Sequence, residues 1–374
     1  MRRMTVVQLL PALESGGVER STLEIARALV DAGHRAIVVS AGGRLVPCLL
    51  ASGAEHVTLD IGRKSLLTLR QVRPLRALLA GGDVDIVHVR SRLPAWIARF
   101  ALRGMAAATR PRLVSTVHGL NSVSAYSAVM TRGERVICVS GCVRDHVLRH
   151  YPKTGPDRLR VIPRGIDPAV FPHAPLPDRA ARQWAAAQHP ALVGSGPLLL
   201  LPGRGTRLKG HADALQLLAR LRGDGLDARL WLPGARESGR EAYIAELEAR
   251  AVVLGIEGAL AFTAPTDAIA RAYAASDLVL QLSRKPEAFG RTVIEALSVG
   301  RPVLGWDHGG VGELLGQLQP AGAVPAFDEA VLHQRARGLL ARPSVAAVTM
   351  PLLSDYTLHA MQRATLDVYA ELID

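Results

Sequence analysis

The chain has 374 residues, about half of them apolar and a fifth charged, with Gly and Pro spread through it instead of gathered in tracts; that balance fits two folded domains and excludes a disordered or low-complexity protein. No apolar run approaches the ~18 to 20 residues of a bilayer-spanning helix, which excludes an integral membrane protein of the helical kind. The formal charge of +12 is uneven, residues 1–170 holding 25 Lys+Arg against 12 Asp+Glu and the remainder 20 against 21, so a polyanionic partner of the first half and a plain Arg-rich composition both remain open.

Short β-rich runs alternate with amphipathic stretches, the pattern of parallel sheets with helical crossovers. The opening run, 4–10, reaches Pro11 and Glu14 without a small-residue cleavage site and is expected to be a first buried strand of a cytosolic protein. Further strands are expected at 35–40, 56–59, 85–89, 113–117, 135–139 and 159–162. The clearest helix of this half runs from Val18 to Ala32, with Leu23, Ile25, Ala26, Leu29 and Val30 on one side and Gly33 as its stop. Within 63–76, Leu66, Leu69, Val72 and Leu75 recur at about helical spacing among Arg63, Lys64, Arg70, Arg73 and Arg76, while Pro74 speaks against one continuous helix. Cys48, Cys138 and Cys142 sit in apolar patterns and are expected to be reduced core thiols.

Seven prolines between 163 and 197 mark a linker, placed at 171–196. Beyond it the rhythm restarts, with strands expected at 197–202, 228–233, 259–262, 277–282 and 301–305, and helices near 211–222, 239–254, 265–274, 290–298 and 327–341. A last helix is expected over 354–373. The domains are therefore 1–170 and 197–353, two α/β units in tandem, followed by a C-terminal helix.

Two segments of the second half carry candidate chemistry. Glu287-Ala288-Phe289-Gly290-Arg291 follows a strand and opens a helix, so the N–H groups of Phe289, Gly290 and Arg291 are placed to hold a phosphate at the positive helix end. Glu287 lies just outside that start and Glu295 inside it; carboxylates beside a bound anion suit hydroxyl groups of a sugar. Pro202-Gly203-Arg204 through Lys209-Gly210-His211 leaves another strand's carboxyl end, with Arg204 as a planar fork and Lys209 as a point charge for a diphosphate. It lacks the order of a Walker loop. In the first half, Gly16 and Gly17 follow strand one without a dinucleotide-binding glycine pattern, and His118 ends the fifth strand beside Gly119. Asp83 and Asp85 could hold a divalent cation, but they precede a strand, at the edge away from such ligands, and are expected to serve the turn. Each segment alone also matches an ordinary helix start or surface loop.

Taken together, Gly16-Gly17-Val18-Glu19-Arg20, Asp85-Ile86-Val87-His88, His118-Gly119, Val139-Ser140, Ile162-Pro163-Arg164-Gly165-Ile166-Asp167, Gly203-Arg204 with Lys209-Gly210, and Glu287-x7-Glu295 resemble, in order and over nearly the whole chain, glycosyltransferase family 4, the retaining GT-B enzymes. The resemblance implies two Rossmann-like, doubly wound parallel-sheet domains facing a cleft, with the C-terminal helix 354–374 crossing back to the first. It implies a nucleotide diphosphate sugar as donor, a UDP-sugar before a GDP-sugar, and a saccharide or lipid-linked acceptor of lipopolysaccharide or another envelope glycan. Arg204 and Lys209 would neutralise the diphosphate held by the amides around Phe289, Gly290 and Arg291. Glu287 would bind the sugar, Glu295 the ribose, Gly17 would close on the phosphates, and His118 would touch the sugar near the reacting carbon. Neither a metal nor another cofactor is expected. The basic first domain is expected to allow peripheral attachment to the inner face of the membrane. Arg164 stands where the family usually has Asn, and Gly312 where Pro is common. A nucleotide-sugar epimerase or hydrolase of the same fold would need an acid/base set that the sequence does not offer. A non-catalytic nucleic-acid-binding protein would need the basic–aromatic interleaving that about 4% aromatic residues cannot supply.

Overall fold

The computed structural model describes residues 2–14, 16–81, 83–341 and 350–373. Ser15, in the first glycine loop, and Asp374 lie outside them. The described chain divides into two units, one formed by residues 1–163 with 358–374 and the other by 164–357.

In the first unit seven parallel strands, β1 Thr5–Leu9, β2 Arg35–Ser40, β3 Glu55–Thr58, β4 Ile86–Val89, β5 Arg112–Val117, β6 Arg135–Cys138 and β7 Leu159–Val161, lie in the order β3-β2-β1-β4-β5-β6-β7. β1 pairs with β2 on one side and β4 on the other, Val6 standing opposite Ala36 and Ile86. Val6, Val7, Ile86 and Val87 are fully buried, the mark of strands covered on both faces by helices. The helices are α1 Gly17–Asp31, α2 Val46–Ala51, α3 Val72–Gly81, α4 Arg92–Arg103 and α5 Gly141–His150. α1 buries Ile25, Ala26 and Leu29 and stops where Gly33 takes a left-handed φ of 78°.

The second unit opens with α6 Arg179–Ala186 and then carries β8 Leu198–Leu200, α7 His211–Gly223, β9 Arg229–Pro233, α8 Glu241–Val253, β10 Leu260–Thr263, α9 Ile269–Ala275, β11 Leu278–Gln281, α10 Arg291–Ser298, β12 Val303–Trp306, α11 Gly309–Leu318, β13 Ala323–Val324 and α12 Glu329–Ala341. Its parallel sheet has the order β10-β9-β8-β11-β12-β13. Leu199, Leu230, Leu280, Leu304 and Trp306 form the middle of its core, packed against Leu215 and Leu218 of α7. Both sheets therefore reverse strand order once, between β1 and β4 and between β8 and β11, and each reversal opens a crevice at the strands' carboxyl ends.

The last helix, α13 Leu358–Ala370, belongs to the first unit. Met361, Val368 and Tyr369 join the core made by Val6, Ile25, Val38 and Ile86. The Tyr369 hydroxyl lies 2.6 Å from His88 Nδ1, Gln362 Nε2 donates to the Glu24 carbonyl at 2.9 Å, and Glu371 accepts from Arg135 at 2.9 Å and Arg160 at 2.8 Å.

Several expectations change in detail. The stretch 171–196 read as a linker lies within the second unit, anchored by Arg301, whose fully buried guanidinium donates to the carbonyls of Ala174 at 3.0 Å, Pro175 at 2.6 Å and Ala274 at 2.7 Å. Cys48 is exposed, because the short helix α2 turns its neighbour Leu49 inward. The expected helix over 354–373 begins at Leu358, after a 3₁₀ stretch, Met350–Tyr356. Residues 66–71 form a 3₁₀ turn before α3, and Pro74 falls in the first turn of α3, where its missing N–H deprives no helical bond. Leu75 is buried and Leu66 exposed, so the expected apolar stripe is split between core and surface.

Candidate active site

The loops after β8 and β11 meet at the crevice of the second sheet. The first leaves β8 through Gly203, whose N–H donates to Pro233 O at 2.9 Å, and tightens into a 3₁₀ turn over Arg207–Lys209. Gly210 ends that turn with a left-handed φ of 76°, and a Cβ there would stand 2.0 Å from Leu282 O. This close crossing, with Arg284 N–H donating to Leu208 O at 2.8 Å, fastens the two loops to each other.

The crossing brings Lys209 against Glu287. Lys209 Nζ donates to Glu287 Oε1 at 2.6 Å, and the same oxygen accepts from Ser283 Oγ at 2.5 Å. Both side chains are partly open to solvent, at 30% and 26%. Burial alone would push the Glu287 carboxyl up, but the Lys209 charge and hydrogen bonds from Lys209, Ser283 and Gln281 outweigh it and hold the group below the ordinary Glu value. Glu287 is thus an ionised, oriented acceptor. Arg204 points into solvent and its guanidinium makes no hydrogen bond or ion pair among the described residues.

The helix start expected at 289–291 is present. Gly290 caps α10 with φ 103°, and a Cβ on it would meet Val311 Cγ2 at 2.9 Å. The Phe289 ring is buried beside Tyr356, so this residue can offer a ligand only its backbone. Arg291 reaches the Gly165 carbonyl at 3.3 Å and lies 3.5 Å from Glu295. Glu295 itself is 9% exposed, and its Oε2 accepts from the Tyr273 hydroxyl at 2.9 Å. Burial first, then the Glu295 charge, drive the Tyr273 hydroxyl well above the ordinary tyrosine range, so it serves as a fixed donor.

The sequence reading missed the layer beneath. α11 begins on the loop that carries Glu287: Gly310 N–H donates to Glu287 O at 2.7 Å, and a Cβ on Gly310 would lie 2.5 Å from Phe289 Cα. His308 Nε2 lies 2.8 Å from Ser283 O. Gly309-Gly310 one strand away was the available signal, since paired glycines permit such close approach. A Cβ on Gly312 would lie 2.4 Å from Asp307 Oδ1, which explains glycine at that position.

In the first unit, Gly17 and His118 both lie at the carboxyl edge of the sheet, after β1 and β5 respectively. Nothing stands within 4 Å of a Cβ built on Gly17 or Gly119, so the protein's own packing does not require glycine there. His118 is half-buried. Between them stands Arg90, not singled out by any sequence pattern, which is 3% exposed and donates to Gln8 Oε1 at 2.8 Å and Ser21 Oγ at 2.9 Å. Asp85 receives Arg2 at 2.7 Å and Thr5 N–H at 2.8 Å at the amino end of β4, consistent with a structural part in the turn.

Comparison with known proteins assigns each half separately. The model of Glycosyltransferase Family 4 matches residues 15–170, and that of Glycosyl transferases group 1 matches residues 183–346. A D-inositol 3-phosphate glycosyltransferase of Jonesia denitrificans is 32% identical over 44% of this chain, and the match spans only 39% of that protein. The phosphatidyl-myo-inositol mannosyltransferase of Mycolicibacterium smegmatis is 26% identical over 84% of this chain and 78% of its own. Among solved structures, a glycosyltransferase from Rickettsia africae superposes with a TM-score of 0.87 at 25% identity, covering all of both chains. Anabaena Alr3699/HepE, solved in complex with UDP and glucose, gives 0.80 at 19% identity over 98% of this chain and all of its own.

Proposed function

The chain belongs to glycosyltransferase family 4, group 1, the retaining hexosyltransferases of GT-B fold, and on that premise we propose that it moves a hexose from a UDP-sugar to a lipid-linked saccharide of a bacterial envelope glycan such as lipopolysaccharide. The observation that carries the donor half is the Lys209–Glu287 pair beside the glycine-capped start of α10. A cation, an ionised carboxylate and a helix N-terminus at one sheet reversal suit a diphosphate with a hydroxyl-rich group attached. UDP is favoured because a relative of the same fold holds UDP and glucose; a GDP-sugar is the next candidate. The acceptor reading is supported by the relative that acts on phosphatidyl-myo-inositol and by the cation excess of residues 1–170.

In this reading Lys209 and Arg204 face the diphosphate, and the N–H groups of Phe289, Gly290 and Arg291 close on its other side. Glu287 accepts hydroxyls of the transferred sugar, Glu295 holds the ribose, and Gly17 and His118 serve from the first unit, on phosphate and sugar respectively. As the anomeric C–O bond breaks, its electron pair goes to the diphosphate, whose charge rises; the two cations and the amides stabilise that state more than the bound donor. The acceptor oxygen bonds to the anomeric carbon and its proton passes to the departing phosphate. The cations at 204 and 209 take the place that a divalent metal fills in other diphosphate sites. Thermal stabilisation by UDP-, GDP- and ADP-sugars, followed by slow hydrolysis of whichever stabilises, tests the reading. If none stabilises or is turned over, the donor assignment fails.

A further inference from the structure

One face of the first unit, built by the 3₁₀ turn Leu66–Gln71 with α3 and α4, has two features that sugar transfer does not use. The first is charge. Residues 61–132 hold twelve Lys and Arg but only two acids, Asp83 and Asp85, and Asp85 is engaged by Arg2 and Thr5 at the amino end of β4. Arg63, Lys64, Arg70 and Arg73 are exposed and form no ion pair among the described residues. On α4, burial and the like charges of Arg103 and Arg132 lower the pKa of Arg99, a sign of cations crowded without carboxylates between them.

The second feature is the tip. Leu66, Leu67 and Leu69 are 86%, 58% and 47% exposed. They are held there by a folded turn: Thr68 points inward and donates from Oγ1 to Arg63 O at 2.6 Å, and Ser65 Oγ accepts Leu67 N–H at 3.2 Å. Arg76 takes no part in the face, since it donates to Phe100 O at 3.1 Å and Ala101 O at 3.0 Å. The turn therefore presents three exposed leucines flanked along the chain by four exposed cations, and not the longer helical stripe that the sequence suggests.

A nucleic acid would engage the cations but offers three aliphatic side chains little. A bilayer engages both, through anionic headgroups and the acyl region beneath them. We infer that this face docks the protein on an anionic lipid bilayer, Leu66, Leu67 and Leu69 entering below the headgroups while Arg63, Lys64, Arg70 and Arg73 lie among them. The inference names the surface that brings the enzyme to the lipid-linked acceptor proposed above. Vesicle binding is measured without donor or acceptor, so it can fail while the reaction stands, and the reverse.

The test is co-sedimentation of the full chain with phosphatidylcholine vesicles, alone or with about a third phosphatidylglycerol, across a salt series. Wild type is expected to bind the anionic vesicles and to lose most of that binding as salt rises. A Leu66→Ser/Leu67→Ser/Leu69→Ser variant keeps every charge and is expected to bind roughly tenfold more weakly; an Arg63→Glu/Lys64→Glu/Arg70→Glu/Arg73→Glu variant is expected to lose binding altogether. All seven positions face solvent, so melting temperature and donor hydrolysis should match wild type in both. A Leu67→Trp variant adds a direct reading, since its emission shifts to the blue if the tip enters the bilayer. Equal binding to neutral and anionic vesicles, no binding at low salt, unchanged binding of the serine variant, or preference for RNA over vesicles would each overturn the inference.

Discussion

Lys209 Nζ lies 2.6 Å from Glu287 Oε1, joining the loop after β8 to the loop after β11 through one ion pair at the sheet reversal. The two residues assigned to opposite ends of the donor, phosphate and sugar, are thus each other's partners. Lys209→Ala and Glu287→Ala should each lower kcat/KM by roughly 10²-fold or more, with melting temperature little changed. Because the pair acts as a unit, the double variant should be no more than a few-fold worse than the weaker single one. Near wild-type kinetics in either single variant would remove the pair from the reaction.

Glu295 is wired inward to Tyr273 and Arg291, which makes its contribution to the donor site depend on those supports. Glu295→Ala should mainly weaken nucleotide binding, and Tyr273→Phe should do so in the same direction by roughly 1 kcal/mol. Calorimetric titration with UDP measures both. Unchanged affinity in Glu295→Ala would confine Glu295 to packing.

Gly310→Ala places a Cβ 2.5 Å from Phe289 Cα, so the loop bearing Glu287 has to shift. The expected cost is roughly 1–3 kcal/mol of stability together with a rise in donor KM. A variant with normal KM and lowered melting temperature would show that α11 supports the fold and not the site.

Activity should persist in excess EDTA, because the cations at 204 and 209 face the diphosphate in the proposed reading. Loss of activity in EDTA that Mg²⁺ or Mn²⁺ restores would return Asp83 and Asp85 to consideration.

His211 supplies a pH dependence. It is fully buried at the start of α7, Nδ1 lies 3.2 Å from Thr206 O, and Nε2 has no partner among the described residues. Burial lowers its pKa from 6.5 to about 4. Between those values the unfolded chain binds a proton that the native chain does not, so stability falls as pH drops through that window and is unaffected above it. The full effect is roughly 3 kcal/mol. Urea unfolding at about pH 7.5 and about pH 4.5 should show a smaller acid loss in His211→Phe than in wild type; equal losses would show that other groups carry it.

The strands were legible because parallel strands buried on both faces read as short apolar runs, as in Val6-Val7 and Leu198-Leu199-Leu200. β13, only Ala323–Val324, carries too little pattern to stand out. Lys209, Glu287 and Gly290 were candidates in the sequence because their strand-end loops occur in order with the other segments that resemble the family; taken singly, each also matches an ordinary loop or helix start. Their supports were not: Ser283 and Tyr273 become relevant only through contacts that the sheet order creates. The leucines of 66–75 show the limit of periodicity, because a 3₁₀ turn repeats every three residues and changes which of them face outward.

The bond between His88 and Tyr369 spans 281 residues of chain. On the ribosome, all seven strands of the first sheet emerge long before the helix that covers His88, and the whole second unit is synthesised in between. The nascent first unit must therefore wait with its β4 histidine and neighbouring apolar core uncapped. In the meantime the second unit can fold ahead of the first, which is completed only when the helix that carries Tyr369 has emerged and docked.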